Sequence, residues 1–249
     1  MDQNRRIDEP ELWLVHLARS ARALEAFEAD NRCLSNDDIE RLTPINDPAE
    51  RNNRRLCHIA LRCVLERWLG PMVRTLALAR TPEGKPSVPG AALEFSLSHT
   101  GPFAAIVIAR AGPLGIDIEQ EQNAVMPSPR RGEIVAAAAG LTGLSIGDPT
   151  RDADFVRAWT QVEAFGKARG QGLPAVLRDL GILGRGQRAS ADIIATSAHC
   201  ARIANLQLAT IPLPPRLIGT LAASKELAIP SVRLFPSEHD ALKQMFGPG

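Results

Sequence analysis

The chain has 249 residues, of which 45% are apolar and 23% charged, with a formal net charge of +1. That composition is ordinary for a globular protein and is enough for one large domain or two small fused ones. The near-zero net charge, the absence of tyrosine and an aromatic content of only 4% exclude a polyanion-binding surface and base stacking on single strands, so no nucleic acid is expected as a partner. The first six residues are polar and no apolar signal core follows them. The longest apolar run, residues 103–109, is too short to span a bilayer, so no membrane association and a cytoplasmic location are expected. Cys33, Cys57, Cys63 and Cys200 have neither C-x-x-C spacing nor the density of a disulfide framework, and read as reduced thiols.

In chain order, residues 11–15 read as a strand and 19–32 as an alanine-bearing polar helix. After Ser35, residues 37–41 form a short capped helix. Residues 51–69 are helical, with Leu56, Ile59, Ala60, Cys63, Val64 and Trp68 on one core-facing stripe, and Gly70-Pro71 ends it. The Pro82-Glu-Gly-Lys-Pro86 turn precedes strands at 93–97 and 104–109, and a third strand covers 115–119. Polar, proline-bearing residues 120–132 read as loop, 133–141 as helix and 145–152 as loop. A strong helix covers 153–169, with Asp152 or Asp154 as its cap and Gly170 just past its end. Residues 192–196, 201–208 and 217–223 read as strands of an antiparallel sheet, and the tail from Ser237 as a last short helix. The mixed order of helices and strands, without strict βαβ alternation, gives an α+β fold.

Two segments carry chemistry. In Gly115-Ile-Asp-Ile-Glu119, alternation sends Ile116 and Ile118 to a buried face and puts Asp117 and Glu119 on the other. In Trp159-Thr-Gln-Val-Glu163-Ala-Phe-Gly-Lys167, helical spacing lines up Trp159, Glu163 and Lys167. If these faces meet, three carboxylates converge beside one ammonium, and a divalent cation is the usual remedy for such repulsion. All-oxygen ligation points to magnesium. Taken alone, the two strand acids could be an exposed strand face, and Glu163 with Lys167 a helix-surface pair. Trp159 reads as a packing residue.

This pair of segments resembles the Sfp-type 4′-phosphopantetheinyl transferases, whose signatures run roughly G-[IV]-D-x-E and W-x-x-K-E-A-x-x-K. Gly84-Lys85-Pro86 resembles the family's G-K-P turn, Phe95-Ser-Leu-Ser-His-Thr-Gly101 its F-N-x-S-H-[ST] segment, and Gly170-Gln-Gly-Leu173 its G-x-G-L. The likeness covers about residues 81–175 and weakens toward 225, where Pro212-Leu-Pro-Pro215 and Leu221-Ala-Ala223 are similar to the closing segment. The resemblance implies two pseudo-symmetric halves, residues 1–112 contributing to coenzyme A binding and 113–236 carrying the metal ligands and catalytic helix, with a tail at 237–249. The active site would lie in the cleft between the halves, and the chain would act as a monomer.

The implied reaction moves 4′-phosphopantetheine from coenzyme A to a serine of an acyl or peptidyl carrier protein, releasing 3′,5′-ADP. By resemblance, Asp117, Glu119 and Glu163 hold Mg²⁺, Glu163 is also the base, and Lys167 steadies charge on the phosphates. Lys85, Ser98, His99 and Thr100 belong to the coenzyme A site. One of Arg51, Arg54 and Arg55 meets the 3′-phosphate, Arg54 by preference, although a solvated helix face accounts for these arginines too. Ser98 and His99 are adjacent on a strand and so face apart, which disfavours a hydrolase pair. The chain departs from the family pattern at Val162, where a lysine is usual, at Gly166 inside the helix, and at Ala136–Ala139 in the carrier-docking segment. A non-catalytic coenzyme A- or carrier-binding module is the alternative reading, and an enzyme acting on another nucleotide diphosphate a more distant one.

Overall fold

The computed structural model describes residues 9–110, 112–122, 128–145, 147–183 and 188–246. β1 (Glu11–His16) runs directly into α1 (Leu17–Asn31). α2 (Asn36–Glu40) is closed by a reciprocal capping box, the Ser35 hydroxyl accepting the Asp38 N–H and the Asp38 carboxylate the Ser35 N–H. α3 (Pro48–Leu69) starts three residues before the expected position. Asp47 caps it through the Ala49 N–H, and Pro48 sits in the first turn, where no N–H is needed. The expected stripe from Leu56 to Trp68 is buried, and Gly70, at φ +80, ends the helix.

β2 (Ala79–Arg80) and β3 (Pro86–Ser87) form a small hairpin around Gly84 (φ +95), and β4 (Glu94–Thr100), β5 (Phe103–Ala109) and β6 (Leu114–Gln120) follow. α4 (Ser128–Thr142) extends into residues 128–132, part of the polar, proline-bearing stretch expected as loop. Ion pairs anchor that first turn, from Arg130 to Glu133 and from Arg131 to Asp152. Residues 123–127 of the same expected loop lie outside the described residues.

α5 (Asp152–Ala168) has Arg151 at its N-cap position, with no side-chain cap. Asp154, expected as a cap, instead accepts the Asp148 N–H and an Arg157 bond. A short α6 (Leu173–Asp179) follows, then α7 (Ser190–Ala204). α7 corrects the strands expected at 192–196 and from 201 to 204. Ile193, Ser197 and Ala201 recur every fourth residue and are all buried. Packing of this stripe on α4 overrides the β-propensity of the Ile193-Ile194 pair. Asn205, in the left-handed region (φ 52), turns the chain into β7 (Leu206–Thr210). β8 (Leu217–Ser224), β9 (Val232–Leu234) and α8 (His239–Phe246) complete the order.

One sheet has the order β4-β5-β1-β9, the other β6-β8-β7. All pairings are antiparallel except β1 with β9. The α+β class expected from the sequence is thus the one found. β9 and α8 return the chain to the first sheet, where Leu242 and Phe246 join the cluster of Trp13 and Phe27. Cys33, Cys57 and Cys63 are buried free thiols, and Cys200 is half-buried. Among the described residues no helix is long and apolar enough to cross a membrane.

The second sheet lies against one face of the first, with the β6 edge over β4, and among the described residues no backbone ladder joins them. Hydroxyls on alternate residues of β4 accept alternate N–H groups of β6: Ser96 from Ile116 at 3.1 Å, Ser98 from Ile118 at 3.2 Å, and Thr100 from Gln120 at 3.4 Å. The other edge of β6 pairs with β8, so these hydroxyls satisfy N–H groups that would otherwise be orphaned. Ile116 and Ile118 are fully buried against Leu12, Ala105 and Val107. On the opposite face Gly115 lets α5 touch the β6 backbone, since a Cβ there would lie 2.1 Å from the Ala164 carbonyl oxygen.

Gly115→Ala is therefore expected to destabilise the fold by at least about 2 kcal/mol, because neither backbone can yield cheaply. Gly132→Ala, in open space on α4, should instead add up to about 1 kcal/mol from helix propensity. Urea titration of the two variants against the parent checks both signs.

Candidate active site

Odd-numbered residues of β6 face α5, so the contact permitted by Gly115 places Asp117 under Lys167. Asp117 is only 2% exposed. Its Oδ1 accepts from Lys167 Nζ at 2.6 Å and from Ser98 Oγ at 2.9 Å. Its Oδ2 is buried with no hydrogen-bond partner among the described residues. Glu119, two residues on, accepts from Thr100 Oγ1 at 2.9 Å. Glu163 lies one helical turn before Lys167, with Oε2 at 3.8 Å from Nζ. The two β-strand acids and the helical acid therefore share one electrostatic environment, as their spacing predicts.

That environment shifts protons. Burial, then the negative charges of Asp117 and Glu119, push the Glu163 carboxyl up to about 7 despite the opposing pull of Lys167. Burial works against the Lys167 ammonium, but the carboxylates of Asp117 and Glu163 outweigh it and raise its pKa. Among the described residues, no three His, Cys, Asp or Glu side chains are already closed into a metal-holding cluster. The donor set nevertheless fits a hard divalent cation. It offers carboxylate oxygens only, and one of them, Asp117 Oδ2, is buried without the partner that such an atom ordinarily requires.

A cavity of about 350 Å³ lies beside these groups, lined by residues of α3, the β2–β3 hairpin, β4, α5 and α6. Glu163, Lys167 and Lys85 all line it. Lys85 is tied to Glu94 at 2.9 Å and to the Leu114 carbonyl at 3.3 Å. Gly166, which costs α5 helix propensity, has a steric reason to be glycine: a Cβ there would come within 2.6 Å of Val176 Cγ2. Val162 is fully buried and also faces the cavity. Trp159 packs beside Phe155, their ring centroids 6.2 Å apart, as expected of a packing residue.

His99 and Arg54 form a second cluster. Both contact Glu50 Oε1, His99 Nε2 at 3.0 Å and Arg54 Nε at 2.7 Å. Burial disfavours the Glu50 charge, yet the Arg54 and His99 bonds bring its pKa below the ordinary value. Arg51 is spent on the Ile45 carbonyl and Arg55 on Glu25, so of the three arginines Arg54 is the one coupled to His99. Ser98 and Thr100, placed by resemblance in the coenzyme A site, hold Asp117 and Glu119 in position. Sequence reasoning missed Glu50 and Ser96. The period-two hydroxyls at 96, 98 and 100 were a usable signal for Ser96, whereas nothing local marks Glu50.

No protein-family model matches the chain. A protein of Synechocystis sp. (strain PCC 6803), whose name provisionally describes it as a 4′-phosphopantetheinyl transferase, is 24% identical over 181 residues, 70% of each chain. The chain is distantly similar to that transferase. The similarity supports the general class of transferase, at a distant level, that the motifs imply.

The raised Glu163 carboxyl has a sign that can be checked. Its folded-state value of about 7 exceeds the ordinary 4.5, so the folded state holds the proton more tightly and stability falls as pH rises between those values. Asp117, Glu119 and Lys167 are the charged groups facing it. Glu163→Gln should therefore be more stable than the parent at pH 8, by up to about 3 kcal/mol, and nearly equal to it at pH 4. Thermal melts of both proteins across that range, without divalent ions, test this.

Proposed function

We propose that the chain is a magnesium-dependent 4′-phosphopantetheinyl transferase acting between coenzyme A and a carrier protein. The observation that carries this reading is the buried Asp117 Oδ2 without a partner, beside a Glu163 carboxyl raised to about 7 and a lysine on the next helical turn. An ordinary surface ion pair needs neither the burial nor the third carboxylate.

In this reading Asp117, Glu119 and Glu163 would hold Mg²⁺, which supplies Lewis-acid charge on the diphosphate when bound. Ser98 and Thr100 keep two of those carboxylates aimed. Glu163 takes the proton of the carrier serine, directly or through water. The serine oxygen forms a bond to the β-phosphorus, the bond from that phosphorus to the bridging oxygen breaks, and 3′,5′-ADP departs with the electron pair. Lys167 offsets negative charge on the phosphates. Lys85 is a point charge for the same groups, while Arg54 and His99, already joined through Glu50, are the contacts for the nucleotide end. Acyl and peptidyl carrier proteins are the acceptor class.

A second reading, a module that binds coenzyme A or a carrier without turnover, draws on Val162 at the position where relatives carry lysine. Burial of Val162 in the α5 core gives that residue a packing role, and the three convergent carboxylates serve no purpose in a pure binder.

Glu163→Ala is expected to lower carrier modification by about 10²-fold or more, read as the mass gain of an apo carrier protein incubated with coenzyme A and Mg²⁺. Coenzyme A binding by the parent, with no transfer across a panel of carriers, would favour the module. Separately, Mg²⁺ should raise the melting temperature of the parent but not of Asp117→Ala. An equal shift in both would remove Asp117 from the ligand set.

A further inference from the structure

Among the polar groups that line the cavity, His58 is one that the reaction proposed above leaves unused. His58, on α3, is 18% exposed and lines that cavity across from the α5 residues. Its Nδ1 lies 3.1 Å from Asp38 Oδ1. Asp38 is itself only 1% exposed, and its other oxygen is fully engaged. That oxygen accepts from Arg62 Nε at 3.0 Å and Nη2 at 2.6 Å, from the Ser35 N–H at 3.0 Å and from the Ser35 hydroxyl at 2.9 Å. Arg62, equally buried, is fixed in turn by the Val73 and Leu76 carbonyls. The α2 capping box, the α3 arginine and the following loop thus form one rigid support behind a single imidazole.

This support decides what the ring presents. An ionised carboxylate only accepts, so the nitrogen facing Asp38 carries a proton. The Asp38 charge is already compensated by Arg62, so the ring need not be charged to make that bond. With that proton on Nδ1, the neutral form of the ring offers Nε2 as a hydrogen-bond acceptor. Its neighbours along the same wall are Leu61, Phe95 and Leu97. The charged groups lining the cavity are Arg80, Glu83 and Lys85 from the β2–β3 hairpin, and Glu163 and Lys167 from α5. A fixed acceptor lining the cavity with Leu61, Phe95 and Leu97 suits an N–H donor rather than a phosphate oxygen, which itself only accepts.

We propose that His58 accepts a hydrogen bond from an amide N–H in the uncharged arm of the substrate, beyond the diphosphate, and so fixes that arm across the cavity from Glu163. The proposal rests on the transferase reading, in which the substrate's pantetheine arm carries two amides. Asp38 and Arg62 act through His58 as positioning residues and do not touch the ligand.

Titration calorimetry with coenzyme A and with 3′,5′-ADP, which lacks the arm, tests it on the parent, His58→Asn and His58→Gln. Asparagine can keep a donor near Asp38 but has no atom at the Nε2 position, whereas glutamine reaches into the cavity with an oxygen. His58→Asn should bind coenzyme A about tenfold more weakly, the loss of one hydrogen bond, with 3′,5′-ADP binding unchanged. His58→Gln should recover part of the loss. Equal weakening toward both ligands would overturn the proposal in favour of a phosphate or purely structural role, and undiminished coenzyme A affinity in His58→Asn would overturn it outright. A parent that binds neither ligand would instead bring down the transferase reading, and this proposal with it.

Discussion

At the centre of this molecule the edge of one sheet lies over a face of the other, and side-chain hydroxyls join them where peptide groups ordinarily would. Ser96, Ser98 and Thr100 each take an N–H of β6, and two of them also donate to a carboxylate of the same strand. The arrangement solves two problems at once. Buried N–H groups at a sheet edge cost about 1–3 kcal/mol each if left unsatisfied, and an exposed edge invites unwanted pairing. A continuous ladder would satisfy the same groups, but it would extend one sheet into the other, and the hydroxyls that donate to Asp117 and Glu119 would not be placed there. With hydroxyls at the junction, the second sheet abuts the first and its acids are held at the seam.

Everything at the site follows from that seam and from two glycines. Gly115 brings the α5 backbone against β6, so Lys167 reaches Asp117 and Glu163 shares its field. Gly166 keeps α5 clear of Val176, which with Gly166 itself lines the cavity beside Glu163. Neither glycine is used for flexibility. Both are sites of close approach, and at Gly166 the helix accepts about 1 kcal/mol of lost propensity to keep the cavity wall in place.

Much of this was legible in the chain because the signals were periodic. Alternation in 115–119 separated the buried isoleucines from the acids, and fourfold spacing put Glu163 and Lys167 on one face; both features survive in the fold. Local pattern failed where a distant contact decided the outcome. The Ile193-Ile194 pair favours a strand in isolation, yet α7 is a helix because Ser197 and Ala201 complete a stripe against α4. Residues 128–132 read as loop, yet their arginines reach Glu133 and Asp152 and anchor a helical turn. The links of His99 and Arg54 through Glu50, and of His58 through Asp38 to Arg62, span up to 49 positions and leave no local trace.

The Lys167–Asp117 contact bears on how such a site would receive a cation. Removing the ammonium from a buried carboxylate without replacement is strongly destabilising, because an uncompensated charge remains in a poor solvent. Lys167 therefore compensates the buried Asp117 carboxylate, while burial and the neighbouring acids leave a Glu163 carboxyl that holds its proton up to about pH 7. A divalent ion bound at these oxygens would reverse that balance. Its charge would favour ionised Glu163 and release Lys167 from its counter-ion duty, freeing the ammonium to turn toward an anionic substrate.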